Sequence, residues 1–118
     1  MIQAIFFKHN KNITGFQIKN HGRDIVCSAV SILSLNTVNS LEAFTDAKYN
    51  IDYDTNGGYL KCIINEDSLC DKAVLLLSSL ELGLKGIEIE YPKDISLKYK
   101  EVQQWLELIF NFSLIKKG

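Results

Sequence analysis

At 118 residues, with 47% apolar, 23% charged and 10% aromatic side chains, the chain has the composition of one globular domain, which excludes disorder and collagen-like repeats. Thirteen Lys and Arg against fourteen Asp and Glu give a formal charge of −1, so the whole chain offers no basic footprint for nonspecific nucleic-acid binding. Ser, Asn, Lys or Glu interrupts the apolar stretches well short of the roughly eighteen residues of a membrane span, and residues 1–8 lack the basic-then-apolar layout of a signal peptide.

Residues 2–8, rich in Ile and Phe, predict a strand, and 9–12 a polar turn. Residues 13–19 alternate apolar and polar and complete a hairpin. After the polar loop 20–23, Asp24 can cap a helix, because its carboxylate accepts from the free N–H groups of the first turn. That helix is expected to run to about residue 47, with Val26, Val30, Leu33, Leu41 and Phe44 as its core stripe. A second face carries the small side chains Cys27, Ser31, Ser34 and Val38, which would admit a closely packed neighbour. Residues 49–54 and 59–64 read as strands joined by Thr55-Asn56-Gly57-Gly58, a turn built from residues that tolerate positive φ. A second helix follows the polar stretch 65–68, with Leu69, Ala73, Leu76, Leu80, Leu84 and Ile87 at helical spacing. Leu75, Leu77 and Leu82 widen this stripe beyond what one sheet needs, which suggests a second buried face and a homodimer. Gly83 and Gly86 weaken the helix locally, and Pro92 stops it. Residues 94–99 suit a fifth strand, and 100–117 a helix on the spacing of Val102, Trp105, Leu106, Ile109 and Ser113. The expectation is a single α+β domain over 1–118: a mostly antiparallel sheet with two main helices on it, in ββαββα order, plus a C-terminal strand and helix.

Three cysteines, an odd number without a secretion signal, point to free thiols in a reducing compartment, the cytoplasm. Cys27 carries the most information. With Asp24 as N-cap it is the third helical residue, near unpaired N–H groups and the positive end of the helix dipole. Helix N-termini and nearby imidazolium ions favour the thiolate. His21 lies six residues earlier in the loop leading to the same helix, and the Cα path from His21 to Asp24 is at most about 10 Å. A thiolate–imidazolium pair there would be a nucleophile with its own general base, and free N–H groups could serve as oxyanion donors. The commoner reading of a cysteine beside Val26 is plain packing. Cys62 and Cys70, eight apart, form no CxxC and have no histidine near them in sequence, so no metal site is expected. His9 is expected to be solvated in its turn. Asp52, Asp54, Glu66, Asp67 and Asp71 form an acidic patch, either a solvated face or a seat for a basic partner. Gly57-Gly58 has no phosphate-binding context and reads as a turn. Trp105, Phe110 and Phe112 read as core or dimer packing ahead of a partner patch.

His21 and the run Asp24-Ile25-Val26-Cys27-Ser28-Ala29-Val30-Ser31 resemble the ribosomal processing cysteine protease (Prp) family. Its signature is Gly-His-Ala after the second strand, then Asp-x-Val-Cys-Ala/Ser-Ala/Gly-Val-Ser opening a helix. Asn36-Thr37-Val38-Asn39-Ser40-Leu41, Gly58-Tyr59-Leu60 and Leu82-Gly83-Leu84-Lys85-Gly86-Ile87, closing at Tyr91-Pro92, extend the likeness. It covers about residues 1–101, leaving 102–118 as a C-terminal extension. The resemblance implies an endopeptidase that removes the N-terminal extension of large-subunit ribosomal protein twenty-seven, cutting after an apolar, aromatic-rich stretch and before a small residue. It makes Cys27 the nucleophile and His21 the general base, with Asp24 and Ser31 supporting. It also implies a homodimer and no cofactor. This chain departs from the family at Asn20 and Gly22, which replace Gly and Ala, and in a shorter loop from histidine to cysteine than many members have. Two other readings use the same residues: a non-catalytic adaptor that binds that ribosomal protein, and a redox sensor at Cys27. The near-neutral charge disfavours an RNA-binding module.

Overall fold

A computed structural model describes residues 1–102. The elements are β1 (Ile2–His9), β2 (Asn12–Lys19), α1 (Asp24–Phe44), β3 (Tyr49–Tyr53), β4 (Tyr59–Ile64), a 3₁₀ turn (Glu66–Ser68), α2 (Asp71–Glu90) and β5 (Ile95–Glu101). The five strands form one sheet in the order β3-β4-β2-β1-β5. β5 runs parallel to β1 and every other pairing is antiparallel. This is the expected α+β arrangement in ββαββα order with a fifth strand. Lys100 and Glu101, expected to begin a helix, extend β5 instead; the rest of the expected C-terminal helix, with Trp105, Phe110 and Phe112, lies outside the described residues.

Period-two alternation builds the core. Ile2, Ala4 and Phe6 of β1, Phe16 of β2, Cys62 and Ile64 of β4 and Ile95 of β5 form one buried cluster with both helices. From the helices it takes Val26, Val30 and Leu41 of α1 and Ala73, Leu77, Leu80 and Leu84 of α2. The intervening residues Phe7 and Ile63 join Val102 in a smaller cluster. Burying each such aliphatic or aromatic side chain is favourable by about 1.5–3 kcal/mol, which places the main source of stability between helices and sheet. Asn10 (φ 50°) and Lys11 (φ 74°) are both left-handed, so β1 and β2 join through a tight two-residue hairpin.

The helices differ from the expected stripes in instructive ways. The buried stripe of α1 is Val26, Val30, Ser34, Thr37, Val38 and Leu41, whereas Phe44 is 67% exposed. Small hydroxyl residues hold two buried steps, and Thr37 Oγ1 is satisfied by donating to Leu33 O at 2.8 Å. The helix stops at Phe44, three residues early, because Thr45 is extended (ψ 163°) and donates both its N–H and its hydroxyl to Leu41 O. Asp24 is not the cap. It is the first helical residue, and Arg23 occupies the cap position without a side-chain cap bond. In α2, Leu77 belongs to the core, while Leu75, Leu82 and Ile89 face outward at steps of seven. By length and composition α1 is apolar enough to cross a membrane, which the interrupted apolar runs did not suggest; its buried stripe packs on the sheet of this fold.

Candidate active site

The start of α1 is clamped from a distance. Arg23 donates its backbone N–H to Asp94 Oδ1 at 3.1 Å, and its guanidinium donates Nε–H and Nη2–H to Oδ2 at 3.0 and 2.7 Å. The guanidinium also lies over the Tyr91 ring, 5.2 Å from its centre. These bonds hold the Asp94 carboxyl below the usual carboxylate range, the Arg23 side-chain hydrogen bond being the main cause. Asp94 O in turn accepts from Ile2 N–H at 2.7 Å. The clamp explains why Asp24 is not the cap: Arg23 is held extended (φ −59°, ψ 151°) by Asp94, and Asp24 is left exposed on the first turn.

Cys27 is therefore the fourth helical residue. Its N–H already donates to Arg23 O at 2.9 Å, so the donors without intrahelical partners are those of Asp24, Ile25 and Val26. The half-buried sulfur turns back to Gly22, whose N–H donates to Sγ at 3.2 Å; Sγ lies 3.4 Å from Gly22 O. Gly22 fits this seat closely, since a Cβ there would come within 2.9 Å of Asp94 O. An alanine, as in the family signature, would require that contact to shift.

His21 leaves β2 through Asn20, which is left-handed (φ 73°) and donates its N–H to Gly58 O at 2.9 Å. Asparagine is one of the few residues at ease in that conformation, which accounts for its standing where the signature has glycine. The exposed His21 ring rests on the backbone of Gly58: a Cβ at Gly58 would lie 2.6 Å from Nε2. Gly58 is also left-handed (φ 86°), so two independent demands select glycine there. The sulfur's hydrogen bonds thus go to Gly22 and not to the His21 ring. Ser31, one turn beyond Cys27, is exposed.

His21, Cys27 and Ser31 border the same groove, with a volume of about 590 Å³; Asp24 is not among its lining residues. One wall is α1, contributing Val30, Leu35 and Val38 beyond Cys27. The other is the β3–β4 hairpin, with Ile51, Tyr53 and Leu60. The face of small residues on α1, expected to admit a packed neighbour, thus fronts open space. Burial, and secondarily the charge of Asp52, pushes the Tyr59 phenol in this wall above its ordinary pKa. An apolar trough with a thiol and an imidazole on its rim suits an extended peptide with bulky apolar side chains.

A sequence model of the cysteine protease Prp family matches residues 1–96. The chain belongs to this family. It is 38% identical over 80 residues to the ribosomal processing cysteine protease Prp of Staphylococcus aureus, an overlap of 68% of this chain and 74% of that protein. It superposes on the crystal structure of the S. aureus Prp with a covalently linked product peptide at a TM-score of 0.80 and 31% identity, covering 85% of this chain and all of that one. The S. aureus Prp with a substrate peptide gives a TM-score of 0.76 at 27% identity, with the same coverage of this chain and again all of that one. By this membership the chain is a cysteine protease.

Several contributors to the site had no signal in the sequence. Asp94 lies 71 residues from Arg23, and nothing local marks it. Gly58 was legible as a turn but not as the seat of a ring. Ser34 was legible only as a small residue. His9 is half-buried at the end of β1, with Nδ1 2.8 Å from Val102 O, and is not the solvated turn residue expected. Cys62 is buried in β4, where burial pushes its thiol up to about 12. Among the described residues no group of His, Cys, Asp and Glu is arranged to hold a metal ion.

Proposed function

We propose that the protein is the endopeptidase that removes the N-terminal extension of large-subunit ribosomal protein twenty-seven in the cytoplasm, with Cys27 as nucleophile and His21 as general base. The observation that carries this reading is that a half-buried thiol and an exposed imidazole border one apolar, peptide-sized groove. The S. aureus relative is named a ribosomal processing protease and has been crystallised with product and substrate peptides. In the first half-reaction Cys27 Sγ adds to the scissile carbonyl as His21 takes the thiol proton. The tetrahedral oxyanion collapses to a thioester while His21 returns that proton to the departing amine. Water, deprotonated by His21, then attacks the thioester, releasing the carboxylate product and restoring the thiol. The unpaired N–H groups at the start of α1 are the nearest donors for the oxyanion. Asp24 contributes the acidic charge of the first turn, favourable at a helix N-terminus, and Ser31 a hydroxyl on the groove edge.

We further propose a homodimer through the outward residues of the helices, Ile25 and Ile32 of α1 and Leu75, Leu82 and Ile89 of α2, each more than 60% exposed. The deciding experiment incubates the protein with a peptide spanning the extension junction and reads products by mass. A single cut, lost in Cys27→Ala and in His21→Ala, is expected. A peptide that binds but stays intact with the unaltered protein overturns the reading.

A further inference from the structure

Resting on the peptide-cleaving reading above, we propose that Ser34 is a specificity-determining residue whose hydroxyl donates a hydrogen bond to a main-chain carbonyl of the peptide bound in the groove. Ser34 is 1% exposed, yet its Oγ has no hydrogen-bond partner among the described residues. A buried hydroxyl without a partner is uncommon, because leaving it unpaired forfeits its hydrogen bonds to water. The usual escape for a helical hydroxyl is to donate to the carbonyl four residues earlier. Thr37 and Thr45 do this, at 2.8 and 2.7 Å to Leu33 O and Leu41 O. Ser34 does not, although Val30 stands at the corresponding position.

Its place explains what the hydroxyl is for. Ser34 borders the groove, two turns along α1 from Cys27 and between Val30 and Val38. The wall around it is apolar, with Ile51 and Leu60 on the opposite strands. A peptide lying along this wall presents main-chain carbonyls that lose water on entry and need a donor there. Apolar side chains of the walls accept the side chains of the peptide, and the buried Ser34 hydroxyl favours a main-chain carbonyl opposite it.

The test uses the full chain in the Cys27→Ala background, with the fluorescein-labelled junction peptide as probe. Ser34→Ala is expected to weaken binding about three- to tenfold, the range of a typical net hydrogen bond. Melting temperature should stay the same or rise, because alanine removes an unpaired buried polar atom and favours helix. With Cys27 intact, Ser34→Ala should raise KM and leave kcat nearly unchanged. In a series of peptides each with one backbone thioamide, a weaker acceptor, the Ser34→Ala penalty should disappear at one position only. Affinity unchanged by Ser34→Ala, a uniform penalty across the thioamide series, or a fall in melting temperature that accounts for the weaker binding each overturn the assignment. A Ser34-dependent affinity without Cys27-dependent cleavage in the unaltered protein defeats the protease reading and leaves the contact standing. No binding by the Cys27→Ala parent defeats both.

Discussion

His21 and Gly58 show how a site residue is held by one that does no chemistry. The ring sits where a Gly58 Cβ would be, 2.6 Å from Nε2. Gly58→Ala must therefore displace the imidazole and also strain a residue at φ 86°. The backbone cost is about 1–2 kcal/mol, which a thermal melt should detect without loss of the fold. Turnover should fall far more, about a hundredfold, by analogy with other small misplacements of reacting groups. Turnover that falls only in proportion to folded protein would show that the ring's seat is unimportant. The cysteines separate by environment in the same way. Burial drives the Cys62 thiol up to about 12, so it stays protonated from neutral pH to well above pH 8. Iodoacetamide at pH 8, followed by mass mapping, should modify Cys27 and spare Cys62; labelling of both at equal rates would mean that β4 opens easily.

At the level of elements, α1 owes its start to a partner in the turn that precedes β5. The Arg23–Asp94 pair replaces the local cap that Asp24 was expected to supply. Its pH dependence has a definite sign. The native carboxyl is held below its ordinary value by Arg23, so the unfolded chain takes up the proton first. The stabilisation is complete above the ordinary aspartate pKa of about 3.9 and is lost as pH falls through the lower native value. Asp94→Asn should melt lower than the parent at pH 7, with the gap closing in acid below pH of about 3.9. A gap constant with pH would exclude the charge as its origin. Since Gly22 packs on Asp94 O and contacts the Cys27 sulfur, the same variant should also lose activity.

For the whole molecule, the exposed Leu75, Leu82 and Ile89 of α2, at steps of seven, are the contacts through which the proposed homodimer is tested. Leu82→Glu puts a charge in the middle of that row and should convert a dimer to monomers in sedimentation experiments at micromolar concentration. A parent that sediments as a monomer, or a variant that remains dimeric, would place the interface elsewhere or remove it. Family core and catalytic class follow from the whole pattern: the match spans residues 1–96, and the superposition on the S. aureus Prp covers 85% of the chain.

The order of strands and helices was legible because alternation, helical spacing and the turn residues Asn56, Gly57 and Gly58 are local properties. The run from Asp24 to Ser31 was legible as a family signature for the same reason. What the chain's linear order could not carry was distance between parts. The sheet order β3-β4-β2-β1-β5 brings the β3–β4 hairpin opposite α1 to make the groove. It also brings Asp94 to Arg23 and Gly58 under His21. The choice of Ser34 and Thr37 over Phe44 as buried helix positions was likewise tertiary. Burial depends on which face the sheet covers, and a small hydroxyl that is satisfied, or awaiting a ligand, can stand where hydrophobicity alone would not place it.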